Sequence, residues 1–174
     1  MNLVIIGRFP ADTEARIRAF FPPVWRVVFA GPDLAGPGLR DAEALIPEHL
    51  PINAALLDRA PKMRMIQTGA GYDNVDLAEC TRRGILVCSA AGVNAAAVAE
   101  HTMALILGWY KSIVYLDTFL KAHRHSRELR YSGGELCGKT VGIIGLGAIG
   151  QRVSALCRAF GMNVLGHSRH PKSI

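Results

Sequence analysis

Short apolar runs, each closed by a glycine, a proline or a polar turn and followed by an amphipathic segment, recur along the whole chain. This alternation constrains the fold more than any other feature. Strands joined through helices pair in parallel and need cover on both faces. Residues 3–6 read as a buried strand ending at Gly7. Thr13 offers an N-cap for a helix carrying Ile17, Phe20 and Phe21, halted by Pro22 and Pro23. Residues 25–30, 44–46, 64–67 and 85–88 read as four further strands, with helices over 54–59 and 75–83, the latter closed by Gly84. The pattern predicts a small doubly wound α/β domain.

Composition supports a folded chain. Half of the 174 residues are apolar and 20% are charged, which excludes an intrinsically disordered protein. No stretch reaches the roughly 20 uninterrupted apolar residues of a membrane span; the longest candidate, 95–110, is interrupted by Glu100 and His101. The start, MNLVIIGRFP, reads as a strand rather than a signal peptide, because it lacks a basic leader. Cys80, Cys88, Cys137 and Cys157 are far apart, so reduced thiols in a cytoplasmic protein with no membrane partner are expected. Net charge is +6 but uneven: residues 1–110 carry 10 Lys/Arg against 11 Asp/Glu, residues 111–174 carry 10 against 3. The second region therefore favours anions.

From Asn94 to about residue 129, apolar residues recur at helical spacing (Val98, Met103, Ile106, Leu107, Ile113, Leu116, Leu120), which predicts one long helix or two with a bend. Its tail places Lys121, Arg124, Arg127 and Arg130 on one face. A nucleic-acid patch is one reading. A solvated helix end whose cations oppose the macrodipole is the preferred one, because no aromatics interleave the basic residues. Nucleic acid is therefore not the expected partner. The remaining histidines show no metal-ligand spacing, so no metal site is expected.

The chemistry-bearing motif follows. Residues 141–144 read as a buried strand, and Gly145-Leu146-Gly147-Ala148-Ile149-Gly150 fits G-x-G-x-x-G. A helix over 148–160, stopped by Gly161, and a second strand from Asn163 complete the strand–turn–helix–strand context of a dinucleotide site. Gly145 permits the tight turn, Gly147 lets the backbone approach a pyrophosphate, and Gly150 lets helix and strand pack closely. The N-terminus of the helix, from Ala148 and Ile149, offers N–H groups and a positive dipole to phosphate. An NAD site usually carries a carboxylate about 20 residues on. Here residue 168 is Ser, flanked by His167 and Arg169, and 161–174 holds no Asp or Glu. Ser168 with Arg169, supported by Lys172, suits a 2′-phosphate, so NADP is favoured over NAD.

Three linked stretches, APKMRMIQTGAGYDNVDL, RRGILVCSAAGVNAAAVAEHTMALIL and GKTVGIIGLGAIGQRVSALCRAFGMNVLGHSR, resemble the D-isomer-specific 2-hydroxyacid dehydrogenase family. The resemblance implies a flavodoxin-like doubly wound substrate domain (1–96), a helical crossover (97–131) and the first βαβ unit of a Rossmann domain (132–174). It also implies hydride transfer between a nicotinamide and a small 2-hydroxy or 2-keto acid. By the same resemblance, the loop of Gly69, Ala70 and Gly71 holds the substrate carboxylate through backbone N–H groups. Asn94 and Val98 lie near the nicotinamide, and His101 is structural.

The family's catalytic Arg, carboxylate and His follow the second Rossmann strand, so no catalytic residue is expected before Ile174. The expected reading is a truncated member, inactive as this chain. The alternative is a non-catalytic nucleotide-binding or oligomerisation module. Two Rossmann strands alone are expected to leave Val141, Ile143, Ile144, Val164 and Leu165 poorly covered, which with the long helix predicts a homo-oligomer.

Overall fold

A computed structural model of the chain describes residues 1–33, 38–123 and 133–171. Its contacts divide into two compact units, Met1–Ala91 and Gly92–Ile174.

The first unit contains β1 (Asn2–Ile6), α1 (Ala11–Arg18), β2 (Arg26–Ala30), a 3-10 turn (Leu39–Asp41), β3 (Ala44–Ile46), α2 (Ala54–Asp58), β4 (Met65–Thr68), α3 (Leu77–Arg82) and β5 (Leu86–Ser89). All five strands are parallel, in the order β2-β1-β3-β4-β5. This is the flavodoxin-like order that the resemblance implies, on the doubly wound sheet expected from the alternation. Successive residues of β1 serve opposite faces, as the pleat dictates. Val4 and Ile6 join Leu45, Leu57 and Ile66 in one core. Leu3 and Ile5 join Val27 and Ala44 in the other. Side chains cap two helices: Asn53 Oδ1 accepts from the Leu56 N–H (3.1 Å) and Asp76 Oδ1 from the Glu79 N–H (2.9 Å).

The start of α1 departs from expectation. Pro10, not Thr13, occupies the N-cap position, and Thr13 lies inside the first turn. The fixed φ of proline already sets the helical entry there, without a side-chain cap. The helix also ends at Arg18, before the two prolines, which leaves Phe20 85% exposed and Phe21 stacked on Trp25 at 5.7 Å.

The second unit contains α4 (Ala95–Tyr110), α5 (Ile113–His123), β6 (Thr140–Ile144), α6 (Ala148–Ala159) and β7 (Asn163–His167). Of the two readings of the crossover, the structure has two helices, bent by 55° at Lys111–Ser112. The break is at Ser112, whose φ of +48° is left-handed. Among the described residues no single helix is long and apolar enough to cross a membrane. β6 and β7 pair in parallel. Ala99, Met103, Leu136, Val153, Cys157 and Met162 form the core beside them.

β6, expected to be buried, alternates between half-buried and exposed residues. Ile144 is 90% and Leu165 64% exposed, as the uncovered sheet predicts. Val141, Ile143 and Val164, however, pack partly on the core, because the pleat turns them toward it. Arg124, Arg127, Arg130 and Lys172 lie outside the described residues. Lys121 Nζ pairs with Asp117 at 2.7 Å, one helical turn away.

Candidate functional site

In the second unit, β6 runs into the glycine turn. Gly145 has φ +96°, a left-handed conformation suited to glycine, and its N–H donates to the His167 carbonyl at 2.8 Å. Gly147 is the N-cap residue of α6 with an extended backbone, and a Cβ added there would meet no atom within 4 Å. Gly150 is the opposite case: its Cβ would lie 2.0 Å from the Gly145 carbonyl oxygen and 3.4 Å from Ile143 Cγ2. The helix can sit this close to the strand only over a glycine. Leu146, between them, is buried, and its carbonyl accepts from Gln151 Nε2 at 3.1 Å.

No side chain caps α6, so the first-turn N–H groups around Ala148 and Ile149 lack a side-chain acceptor at an exposed helix start. A turn with open space over its second glycine, set on an uncapped helix of 12 residues, fits a diphosphate.

Gly92 completes this corner, and the motif reading missed it. Its φ is +78°, and a Cβ added there would stand 3.3 Å from Ala148 Cβ. The start of α4 therefore reaches the start of α6. Asn94 is the exposed N-cap residue of α4, with its side chain capping nothing. Val98, half-buried one turn on, donates its N–H to the Asn94 carbonyl at 2.9 Å. The only sequence signal for Gly92 was a glycine just ahead of the helix, where many turns have one.

Small residues let α4 and α6 approach: Ala95 and Ala99 on one helix, Gly150 and Ser154 on the other, all buried. Cys157 Sγ lies 3.7 Å from Met103 Sδ, and burial pushes its thiol above the usual range. His101 and Glu100 are exposed on α4. At the end of β7, Ser168 is half-buried, and its hydroxyl donates to the His170 carbonyl. Arg169 is exposed, with no ion-pair partner among the described residues. Because Gly145 and His167 are hydrogen-bonded, Ser168 and Arg169 leave the sheet beside the glycine turn.

In the first unit, Gly69, Ala70 and Gly71 form an exposed loop at the exit of β4. The Gly69 carbonyl accepts from the Ala90 N–H at 2.8 Å, tying the loop to the end of β5. The preceding Thr68 is buried and donates to the Cys88 carbonyl at 3.2 Å. The N–H groups of Ala70 and Gly71 donate to no backbone carbonyl among the described residues, so they are available to an anion. No cluster of His, Cys, Asp and Glu among the described residues has the geometry to hold a metal.

Residues 33–165 match the family profile of the D-isomer specific 2-hydroxyacid dehydrogenase, catalytic domain. A D-3-phosphoglycerate dehydrogenase of Mycobacterium leprae is 43% identical over 117 residues, which cover 67% of this chain and 22% of that protein. Among solved structures, the D-lactate dehydrogenase of Aquifex aeolicus, complexed with NAD and lactic acid, superposes with a TM-score of 0.87 at 28% identity, covering 98% of this chain and 52% of the other. The NADPH-dependent glyoxylate/hydroxypyruvate reductase of Sinorhizobium meliloti gives a TM-score of 0.82 at 25% identity, covering 98% and 55%. The chain thus spans about a quarter to a half of the length of these proteins.

Proposed function

Because this chain belongs to the D-isomer-specific 2-hydroxyacid dehydrogenase family, we propose that it serves an NAD(P)-dependent oxidoreductase acting on a small 2-hydroxy or 2-keto acid. On this reading its second unit is the cofactor-binding part and its first the substrate-binding part. The observation that carries the proposal is the glycine turn: tight at Gly150, left-handed at Gly145 and open at Gly147 over the uncapped start of α6.

The bound nicotinamide supplies a hydride donor or acceptor for carbon 2 of the acid. The chain's own residues bind and orient. The N–H groups at Gly147, Ala148 and Ile149 receive the diphosphate, where the helix dipole favours negative charge. Asn94 and Val98, at the start of α4, flank the nicotinamide end. Ala70 and Gly71 hold the acid's carboxylate through their N–H groups, with Gly69 shaping the loop. Each of these groups binds or orients a ligand, and none of them is assigned a proton transfer.

NADP is the preferred cofactor. A guanidinium at Arg169 without an ion-pair partner among the described residues, beside Ser168 and with no Asp or Glu over 161–174, suits a 2′-phosphate and offers no acidic side chain to grip the paired ribose hydroxyls of NAD. Titrating NADPH and NADH into the chain tests both levels of the proposal. NADPH is expected to bind at least about tenfold tighter, a difference of about 1.4 kcal/mol. Arg169→Asp is expected to reverse the preference. An unchanged ratio overturns the NADP assignment, and absence of binding by either cofactor overturns the site.

The same reading includes self-association and a reducing, cytoplasmic setting. All four cysteines are unpaired, and α4 and α5 expose Leu105, Trp109, Ile113, Val114 and Tyr115 together. A contiguous apolar surface of this kind favours burial against a second copy over exposure to water.

A further inference from the structure

The glycine turn can offer N–H groups to an anion only while its carbonyls are held away from that anion. A trans peptide carries its C=O and its N–H on opposite sides, so the direction of each carbonyl fixes that of the next residue's N–H. The Gly145 carbonyl is fixed by packing: its oxygen fills the space beside Gly150, 2.0 Å from where a Cβ would stand. The Gly147 carbonyl is fixed by the helix, accepting from the Gln151 N–H at 3.0 Å. The Leu146 carbonyl, between them, has neither restraint. It accepts from Gln151 Nε2 at 3.1 Å, and because a carbonyl can only accept, the amide nitrogen must be the atom that faces it.

The polarity of this bond is the reverse of what a helix start needs. N–H groups are in surplus there, and a side chain stabilises the helix by accepting from them. A glutamine in a capping box does so, reaching back as an acceptor. Gln151, exposed in the first turns of α6, instead donates past the helix start into the glycine turn. The helix gains no side-chain cap, and the Gly147 and Ala148 N–H groups donate to no backbone carbonyl among the described residues.

What the bond does fix is the peptide joining Leu146 to Gly147. Leu146 is anchored by its buried side chain. Gly147 has no side chain, and even a Cβ there would meet nothing within 4 Å, so local sterics do not oppose rotation of that peptide. Turned over, it would aim the negative end of the Leu146 carbonyl into the open space and withdraw the Gly147 N–H from it.

We infer that Gln151 is a positioning residue for the diphosphate: its side-chain amide latches the Leu146 carbonyl inward and so keeps the Gly147 N–H directed at the ligand. It acts through the turn rather than by touching the phosphates. The inference rests on the proposed cofactor site, and the test separates the two.

The experiment titrates the 174-residue chain with NADPH and with adenosine, which shares one end of the cofactor but carries no phosphate, and follows the backbone amide resonances. Gln151→Met keeps the length of the side chain and loses the donor. Gln151→Glu keeps its shape and puts a charged acceptor against the carbonyl. Gln151→Met is expected to weaken NADPH binding at least about tenfold while adenosine affinity and the urea midpoint stay unchanged, and Gln151→Glu to weaken it further. NADPH binding as tight in Gln151→Met as in the parent chain overturns the latch, and a loss confined to Gln151→Glu does the same by assigning the effect to charge repulsion. Equal losses for NADPH and adenosine, with a lowered urea midpoint, reveal a loosened second unit and also overturn it. Independently of any variant, the Gln151 side-chain amide of the parent chain is expected to exchange with solvent more slowly than that of free glutamine; equal rates overturn the latch. A parent chain that does not bind NADPH overturns the proposed cofactor site, and the latch with it.

Discussion

Gly147 and Gly150 are three residues apart in one turn, and the structure requires glycine at each for a different reason. A methyl group on Gly150 would lie 2.0 Å from a backbone carbonyl, where nothing can yield without opening the turn. Gly150→Ala is therefore expected to destabilise the second unit by about 1–3 kcal/mol or more, read by urea unfolding, and to abolish NADPH binding. At Gly147 a methyl group meets nothing within 4 Å and the φ of −76° suits any L-residue. Gly147→Ala should hold its stability within about 0.5 kcal/mol yet weaken NADPH binding, because the methyl fills the space a diphosphate needs. Equal loss of stability in both variants would contradict this division. The spacing of these glycines was legible in the sequence because a turn is a local object. Gly92 was not, since its requirement comes from Ala148, far along the chain.

Among the elements, α3 shows how a short helix is tied down by charge. Glu79 accepts hydrogen bonds from Arg82 and Arg83, and Arg83 also reaches Asp58 at the end of α2 at 2.7 Å. The hydrogen bond from Arg82 first, and that from Arg83 next, hold the Glu79 carboxyl near 2, down from the usual 4.5. A carboxyl lowered by folding contributes stability that is fully present above about 4.5 and is lost as pH falls through about 2. Asp41, lowered by its hydrogen bond from Lys62, acts in the same direction. Glu79→Gln is thus expected to reduce stability at neutral pH and to flatten its decline in acid, measured as urea midpoints across that range. A decline as steep as in the parent chain would refute the assignment. Element types followed from periodicity, but ends and bends did not. Pro10 displaced Thr13 at the start of α1, and the left-handed Ser112 broke the crossover, because entry angles and breaks answer to packing rather than to apolar spacing.

For the molecule as a whole, the decisive feature is apolar surface left in water. Trp109 is 83% exposed and borders a groove of about 800 Å³ between α4 and α5, and Ile144 and Leu165 stand out from the two-stranded sheet. Sedimentation of the chain is expected to show an oligomer that shifts toward monomer in Trp109→Glu, with unchanged helix content. A monomeric parent chain would exclude self-association through this surface. The alternation of strands and helices, the parallel sheet and the glycine turn were determined by sequence alone, since each follows from spacing within a few dozen residues. Only the tertiary structure decided which faces of β6 and β7 are covered and that Gly92 meets Ala148. Those contacts depend on strand order and helix approach, which join residues that local patterning cannot relate.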